Sequence, residues 1–318
     1  MHNSFISIVT VINADYEIRL LPDYLNAVNA QLKANFSDYE IILVNNSVST
    51  TEIYQCIEQL PAEQKHNIYQ LNLSTTANKN HAVVAGFDRA NGDYTILFEL
   101  AFADKTEYIL DLFQKSQEGH DIVYLKANRR STKVRFKLFY QVFYFILKRY
   151  STLKIDELAH NTRLISRRAL NSIVRMRENL KYMKAIYSLV GYSTSYVEVP
   201  EALVSDDNTS FGEHFRTSLV AITSFTTFLR SIMLWIFLGS LGFLGLVIYN
   251  AFKVKMYSID IFGNTQESVT GWAFLVVIIS IFFAITCLNL YIMSIYMSNI
   301  YQEIKKRPLY IIESVKRF

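Results

Sequence analysis

Residues 39–47 read YEIILVNNS. Tyr39–Val44 is an apolar run rich in β-formers, and it stops on Asn45-Asn46-Ser47, residue types that favour turns. Upstream, Ile6–Val11 is a second run of this kind, closed by a polar turn at Asn13-Ala14-Asp15, and a helical pattern fills the interval through Lys33. Downstream the sequence predicts a helix to about Leu60, a strand near Asn67–Leu73 and a helix from about Lys79 to Ala90. A fourth strand, Tyr94–Glu99, follows Asn91-Gly92-Asp93. Strands alternating with helices predict an α/β domain, a mostly parallel sheet with helices on both faces. In such sheets ligands bind beyond the carboxyl ends of the strands, so Asn13, Asn45, Asn46 and Glu99 are predicted to converge there.

Composition narrows the class. Hydrophobic residues make up 51% of the 318 residues, high for a soluble enzyme that also carries 19% charged residues. That average hides two populations: charges are evenly spread to about Arg216 and almost vanish from Ser231 to Gln302. A net charge of +4 is too mild for a nucleic-acid binder, and no Lys/Arg block alternates with aromatics; it suits a protein lying against anionic lipid. Dinucleotide-type and P-loop glycine motifs are absent, as are a serine nucleophile elbow and a zinc-binding histidine pair. Cys56 and Cys287 lie in segments of different character and read as packing residues rather than a bridge. Phe5–Val9 is too short and too poorly flanked for a signal peptide, which leaves the N-terminal domain, residues 1–210, expected in the cytoplasm.

Ser231–Phe252 holds 22 residues without a charge between Arg230 and Lys253. As a helix it would be about 33 Å long, enough to cross a hydrocarbon core of about 30 Å. Residues 271–297 form a second candidate span, so two crossings return the chain to its starting side. The tail, residues 298–318, carries Lys305, Lys306, Arg307, Lys316 and Arg317, as a cytoplasmic end should, whereas the external loop, residues 253–270, is thin in positive charge beyond Lys253 and Lys255. Trp235, Trp272, Tyr249 and Tyr257 are candidate interfacial anchors, with Trp235 alternatively among the helices. Two further segments are amphipathic. In 133–150 the stripe Phe136, Phe139, Tyr140, Phe143, Leu147 and Tyr150 is flanked by Lys133, Arg135, Lys137, Lys148 and Arg149, which fits a membrane-surface helix or an ordinary core-facing one. Residues 211–230 read as an approach helix. Gly239, Ser240, Gly242 and Gly245 would allow close helix contact and homo-oligomerisation.

The order of these pieces resembles glycosyltransferase family 2, and within it the membrane-anchored polyprenyl-phosphate branch that includes relatives of dolichol-phosphate mannose synthase. Ile8–Asn13 resembles the opening "VVPVYNE" strand, Glu40–Ser47 the "EIIFVDDGS" strand, and Lys79–Gly86 with Ala90–Asp93 the "GKxxALxxGxxxAxGD" segment. Ile300–Ile312 resembles the "IYxEVKxRPxYIV" that follows the second membrane helix. The resemblance implies a nucleotide-diphospho-sugar transferase-like (GT-A) fold that moves a sugar from a nucleotide donor to a membrane polyprenyl phosphate. It further implies inverting displacement at the cytoplasmic face of the inner membrane, with Mg²⁺ or Mn²⁺ offsetting the diphosphate charge.

The match thins at the chemical residues. The family's base-contacting acid falls on Asn45, followed by Asn46, amides that lack the charge for a strong bond to a uracil N–H. The Asp-x-Asp position falls on Glu99-Leu100-Ala101, so the second carboxylate is lost and the candidate metal ligands become Glu99 and Asp104. Asp104 also reads as an N-cap for a helix over 105–113. "GDFRLMSRR" appears as His160–Arg168 and keeps Arg163, Leu164, Ser166, Arg167 and Arg168, but the catalytic Asp becomes Asn161. His160 is the candidate substitute, although a lone His is more often a structural hydrogen-bonder. Around Lys181-Tyr182-Met183-Lys184 the basic motif is eroded; Lys184 keeps the charge of an Arg without its planar fork. Lys79, Arg163 and Lys184 are the candidate phosphate neighbours. Glu201, Asp206 and Asp207 stand where basic residues are expected and would invert the local field. Two readings follow: an active glycosyltransferase with a variant site, and a catalytically silent relative that scaffolds or regulates a partner.

Overall fold

Strand β1, His2–Ile12, is central to the sheet, and its sequence says why. Ile6, Ile8, Val9 and Ile12 are fully buried, on both faces, as a strand covered by helices on two sides requires. The computed structural model describes residues 1–46, 48–131, 134–176, 182–204, 211–265, 271–304 and 308–318. The described chain forms two compact units: residues 1–144, 153–210 and 306–318, and residues 145–152 with 211–305.

In the first unit β1 lies parallel to β2 (Phe36–Asn45) on one side and to β4 (Tyr94–Leu97) on the other, with Val9 opposite Ile42 and Leu97. β3 (Ile68–Leu73) extends the parallel set beyond β2. β7 (Ala159–Ser166) then enters antiparallel between β4 and β5 (Ile122–Ala127), and β8 (Thr194–Val199) closes that edge parallel to β5. β6 (Arg130–Ser131) and β9 (Leu203–Val204) form a separate short ribbon. The eight-stranded order is β10-β3-β2-β1-β4-β7-β5-β8, where β10 is Ile312–Arg317. The four strands expected from the first hundred residues are all present, and β1 and β2 begin four and three residues earlier than the apolar runs alone indicate.

Two glycines of the matched "GKxxALxxGxxxAxGD" segment are required by close approach. A Cβ on Gly86, in the Lys79–Arg89 helix, would stand 2.3 Å from Val9 Cγ1 and 3.1 Å from Val44 Cγ2. A Cβ on Gly92 would stand 2.7 Å from both Phe5 O and Ser7 N. The Gly92 N–H donates to Ser7 Oγ (2.8 Å), and Ser7 Oγ donates to buried Glu40 Oε1 (2.7 Å), which also accepts from Asn91 N (2.7 Å). This hub locks the turn that delivers β4.

β10 goes further than a basic tail. It pairs antiparallel with β3, Ser74 N donates to Ile311 O (2.9 Å), and the Phe318 ring lies 5.4 Å from that of Tyr54. Residues 305–307, which carry three of the predicted basic charges, lie outside the described residues, as do Lys133, Asp206 and Asp207.

Among its described residues the second unit holds the end of the Val134–Tyr150 helix and the helices Phe211–Phe225, Phe228–Tyr257 and Trp272–Ile304. The approach helix therefore stops short of the first apolar helix, at Thr226-Thr227, where Thr226 Oγ1 turns back to Ile222 O (2.7 Å). Both apolar segments are helical and long enough to cross a membrane, with 0% and 6% of their most apolar windows buried. Within this chain Trp235 is 73% exposed. The first apolar helix runs past Lys253 to Tyr257 and ends on Ser258 in the left-handed conformation (φ 53°). Lys253 Nζ and Asn264 N then hold Asp260 from two sides, through its carbonyl and carboxylate respectively, and so fix the connecting loop.

The Val134–Tyr150 helix is buried along part of its apolar surface and exposed along another. Phe143 and Leu147 of the predicted stripe are buried, whereas Leu138, Val142 and Phe145, outside that stripe, are exposed. Both sides of this helix are therefore partly apolar.

Candidate active site

The strand ends bring most of the expected residues together. Glu99 follows β4, and β7 runs antiparallel beside it, so the start of β7 lies against the end of β4. Asn161 Nδ2 donates to Glu99 Oε1 (3.0 Å), Thr162 Oγ1 accepts from Glu99 N (3.2 Å), and Lys79 Nζ stands 3.5 Å from Glu99 Oε1. Burial pushes the half-buried Glu99 carboxyl upward, but Lys79, the Asn161 amide and His160 outweigh it and hold the group below the usual carboxylate range. It is ionised at neutral pH.

Asn13 and Asn46 meet at the ends of β1 and β2, where Asn46 Nδ2 donates to Asn13 Oδ1 (2.9 Å). The same amide clasps Ala77, donating to its carbonyl (2.9 Å) and accepting from its N–H (2.8 Å). Residues 77–79 thus link the paired amides to Lys79 and Glu99. Asn45 is 2% exposed and turned into its own loop, its Oδ1 accepting from Val48 N (2.9 Å).

Three expected phosphate or catalytic residues are engaged elsewhere. Arg163 is buried; its Nε donates to Asn161 O (2.9 Å), an Nη donates to His160 O (2.8 Å), and its guanidinium lies 3.7 Å from the Tyr187 ring centre. It braces the backbone that carries His160 and Asn161. Lys184 Nζ donates to Ala159 O (2.6 Å) in the same brace, and burial pulls its pKa down. His160 is buried, edge-on to Phe102 at 5.3 Å and 3.4 Å from Glu201 O, and burial lowers its pKa so that the ring is neutral at pH 7. Replacing Arg163 with Lys keeps the charge but loses the fork. We expect it to cost about 1–2 kcal/mol, read as a lower thermal midpoint with intact helix content.

Asp104 is exposed on the turn after the Leu100–Phe102 segment, and its charge acts on Lys105. The following helix is Glu107–Gln117, and its N-cap is Thr106 rather than Asp104. Among the described residues no three His, Cys, Asp or Glu side chains gather as a metal-ligating group. Glu201 does not act as a free negative charge, because Lys105 pairs with it and Tyr108 donates to it (2.8 Å). Sequence reading missed this pair, along with β10, whose available signal was Ile311, Ile312 and Val315 interleaved with charges.

A mixed, mostly parallel sheet with an ionised carboxylate, a lysine and amides at its strand ends is a GT-A-like nucleotide-sugar transferase fold. The model of "Glycosyl transferase family 2" matches residues 7–174, and the chain belongs to this family. A prophage bactoprenol glucosyl transferase homolog of Escherichia coli K12 is 30% identical over 304 residues, spanning 95% of this chain and 96% of that protein. The bactoprenol glucosyl transferase of Shigella phage SfII is 30% identical over 308 residues, spanning 95% and 96%. An uncharacterized glycosyltransferase of Synechocystis sp. is 28% identical over 281 residues, spanning 87% of this chain and 85% of that protein.

Proposed function

We propose that this chain is a membrane-bound glycosyltransferase that moves a sugar, glucose by analogy with its named relatives, from a nucleotide donor to a polyprenyl phosphate at the cytoplasmic face. The observation that carries this reading is the ionised Glu99 held between Lys79 and Asn161 at the strand ends of a family 2 domain. In the reaction an acceptor phosphate oxygen attacks the anomeric carbon. The bond from that carbon to the diphosphate breaks, and its electron pair leaves with the nucleotide. A phosphate monoester is already largely ionised at pH 7 and needs no strong base. Asn161 in place of an Asp is therefore compatible with turnover, its amide orienting Glu99 instead. Lys79 offsets charge on the diphosphate, while Arg163 and Lys184 keep the β7 backbone in place.

One ionised carboxylate together with donor phosphates and water is a ligand set that suits Mg²⁺ or Mn²⁺. Glu99 is the residue that would hold such an ion, and the ion would supply Lewis-acid stabilisation of the leaving diphosphate.

For topology, the chain leaves the sheet before two apolar helices and rejoins it afterwards at β10. An even number of crossings keeps β1 and β10 in one compartment, and we assign that compartment to the cytoplasm. Residues 1–210 would be the catalytic domain, 231–252 and 271–297 the crossings. The silent-partner reading draws on Asn45 and Asn46, whose amides are taken up within the protein, Asn45 by Val48 of its own loop and Asn46 by Asn13 and Ala77.

The test is transfer of label from UDP- or GDP-sugars to undecaprenyl phosphate in vesicles with Mg²⁺ or Mn²⁺. Labelled lipid is the expected product. Binding of neither nucleotide at millimolar concentration would leave only the silent reading. Reporter tags ahead of β1 and after β10 should both face the cytoplasm, and alkaline carbonate should leave the protein in the membrane.

A further inference from the structure

Buried amides connect exposed Ser314 of β10 to exposed Thr50 at the end of the loop after β2. Asn45 Nδ2 donates to Thr50 Oγ1 (3.0 Å) and to Asn72 Oδ1 (3.0 Å). Asn72 Oδ1 also accepts from Gln70 Nε2 (2.9 Å), and Asn72 Nδ2 donates to Ser314 Oγ (2.9 Å). Asn45, Gln70 and Asn72 are 2%, 1% and 5% exposed.

The direction of every bond is forced from one end. Val48 N can only donate, so Asn45 must turn its Oδ1 toward it and its Nδ2 toward Asn72. Asn72 must then offer Oδ1 to Asn45, which leaves its own Nδ2 for Ser314. An Asp at 45 would require the Asn72 amide to turn round, with its Nδ2 toward position 45 and its Oδ1 accepting from the Ser314 hydroxyl, so the identity of residue 45 sets the polarity of the chain. Asn45, Asn72 and Ser314 are chemically matched to one another. The change at 45 that looks like a lost carboxylate sets the direction of a polar tie from the donor-side loop to the strand that follows the second apolar helix.

We propose that Asn72 and Ser314 are positioning residues for donor binding: β10 fixes the Asn45 amide, and through it the Val48–Thr50 segment against which the nucleotide is taken. The inference rests on the reading that a nucleotide donor occupies the carboxyl ends of these strands.

The experiment uses the full-length protein in nanodiscs, with hydrogen exchange of the Val48–Thr50 amides and calorimetric binding of UDP and GDP. Asn72→Ala is expected to speed Val48 exchange and weaken nucleotide binding about tenfold, and Ser314→Ala about threefold. Ser314→Thr, which keeps the hydroxyl, should restore both, and the thermal midpoint of Ser314→Ala should match that of the parent. Unchanged exchange in Asn72→Ala and Ser314→Ala would overturn the inference, as would weakened binding that Ser314→Thr fails to restore. If the parent binds neither nucleotide, the donor reading and the donor-binding role both fail, while the exchange arm still decides whether β10 orders the loop.

Discussion

Glu99→Gln lowers sugar transfer at least about a hundredfold while the protein remains folded. The substitution keeps the shape and an acceptor oxygen for the Asn161 amide, and removes only the charge. Lys79 then loses its partner, but its side chain is 48% exposed and water takes over, so the stability cost is below about 1 kcal/mol. What disappears is the Glu99 charge, which holds the Lys79 ammonium toward the site and would anchor a divalent ion. Initial rates with UDP- and GDP-sugars, beside a thermal melt of the same sample, measure the two effects separately. Rates equal to those of the parent would remove Glu99 from the chemistry.

The sign of the pH effect follows from the same contacts. The folded-state pKa of Glu99 lies below its unfolded value, so its contribution to stability is complete above about pH 4.3. That contribution is lost as the pH falls through the lower folded value. A fall in rate between pH 5 and 7 would therefore come from another group, such as the acceptor phosphate.

The largest structural effect is expected from Gly92→Ala, which should cost about 3 kcal/mol or more. The added methyl would meet Phe5 O and Ser7 N, backbone atoms of a strand paired on both sides, at 2.7 Å. Relief requires either moving β1 out of register or breaking the Gly92–Ser7–Glu40 hub. Gly86→Ala also meets Val9 in the core, but there the obstacle is a side-chain methyl, and a smaller loss is expected. For a unit of this size about 3 kcal/mol lowers the melting midpoint by roughly 6–12 °C. An unshifted midpoint for Gly92→Ala would mean that this contact yields easily.

The parallel half of the sheet was legible because its strands are apolar on both faces and its turns are polar. Tyr39–Val44 and Ile6–Val11 carry that signal without help from the rest of the chain. β10 was not legible in the same way. All six of its residues are exposed, so packing imposed no apolar alternation on it, and its basic residues read as a solvated end. For the site, the pairing of Asn13 with Asn46 and the place of Glu99 at the end of β4 followed from topology. The fate of Arg163 and Lys184 did not, since a cation that braces carbonyl groups has the same one-dimensional appearance as one that meets phosphate. The stripe in the Val134–Tyr150 helix holds in part, with Phe143 and Leu147 buried. Apolar side chains occupy more than one side of it, and periodicity alone does not say which side turns inward.

The late position of β10 has a consequence for biogenesis. When a ribosome has delivered residues 1–210 it has supplied every strand of the large sheet except one, and β3 presents an open edge of unpaired backbone donors and acceptors. The strand that covers this edge follows both apolar helices in the chain and is synthesised only after them. Completion of the large sheet thereby waits for the whole apolar hairpin to be made, and a nascent chain stalled between the two helices carries a sheet that is sticky along one side.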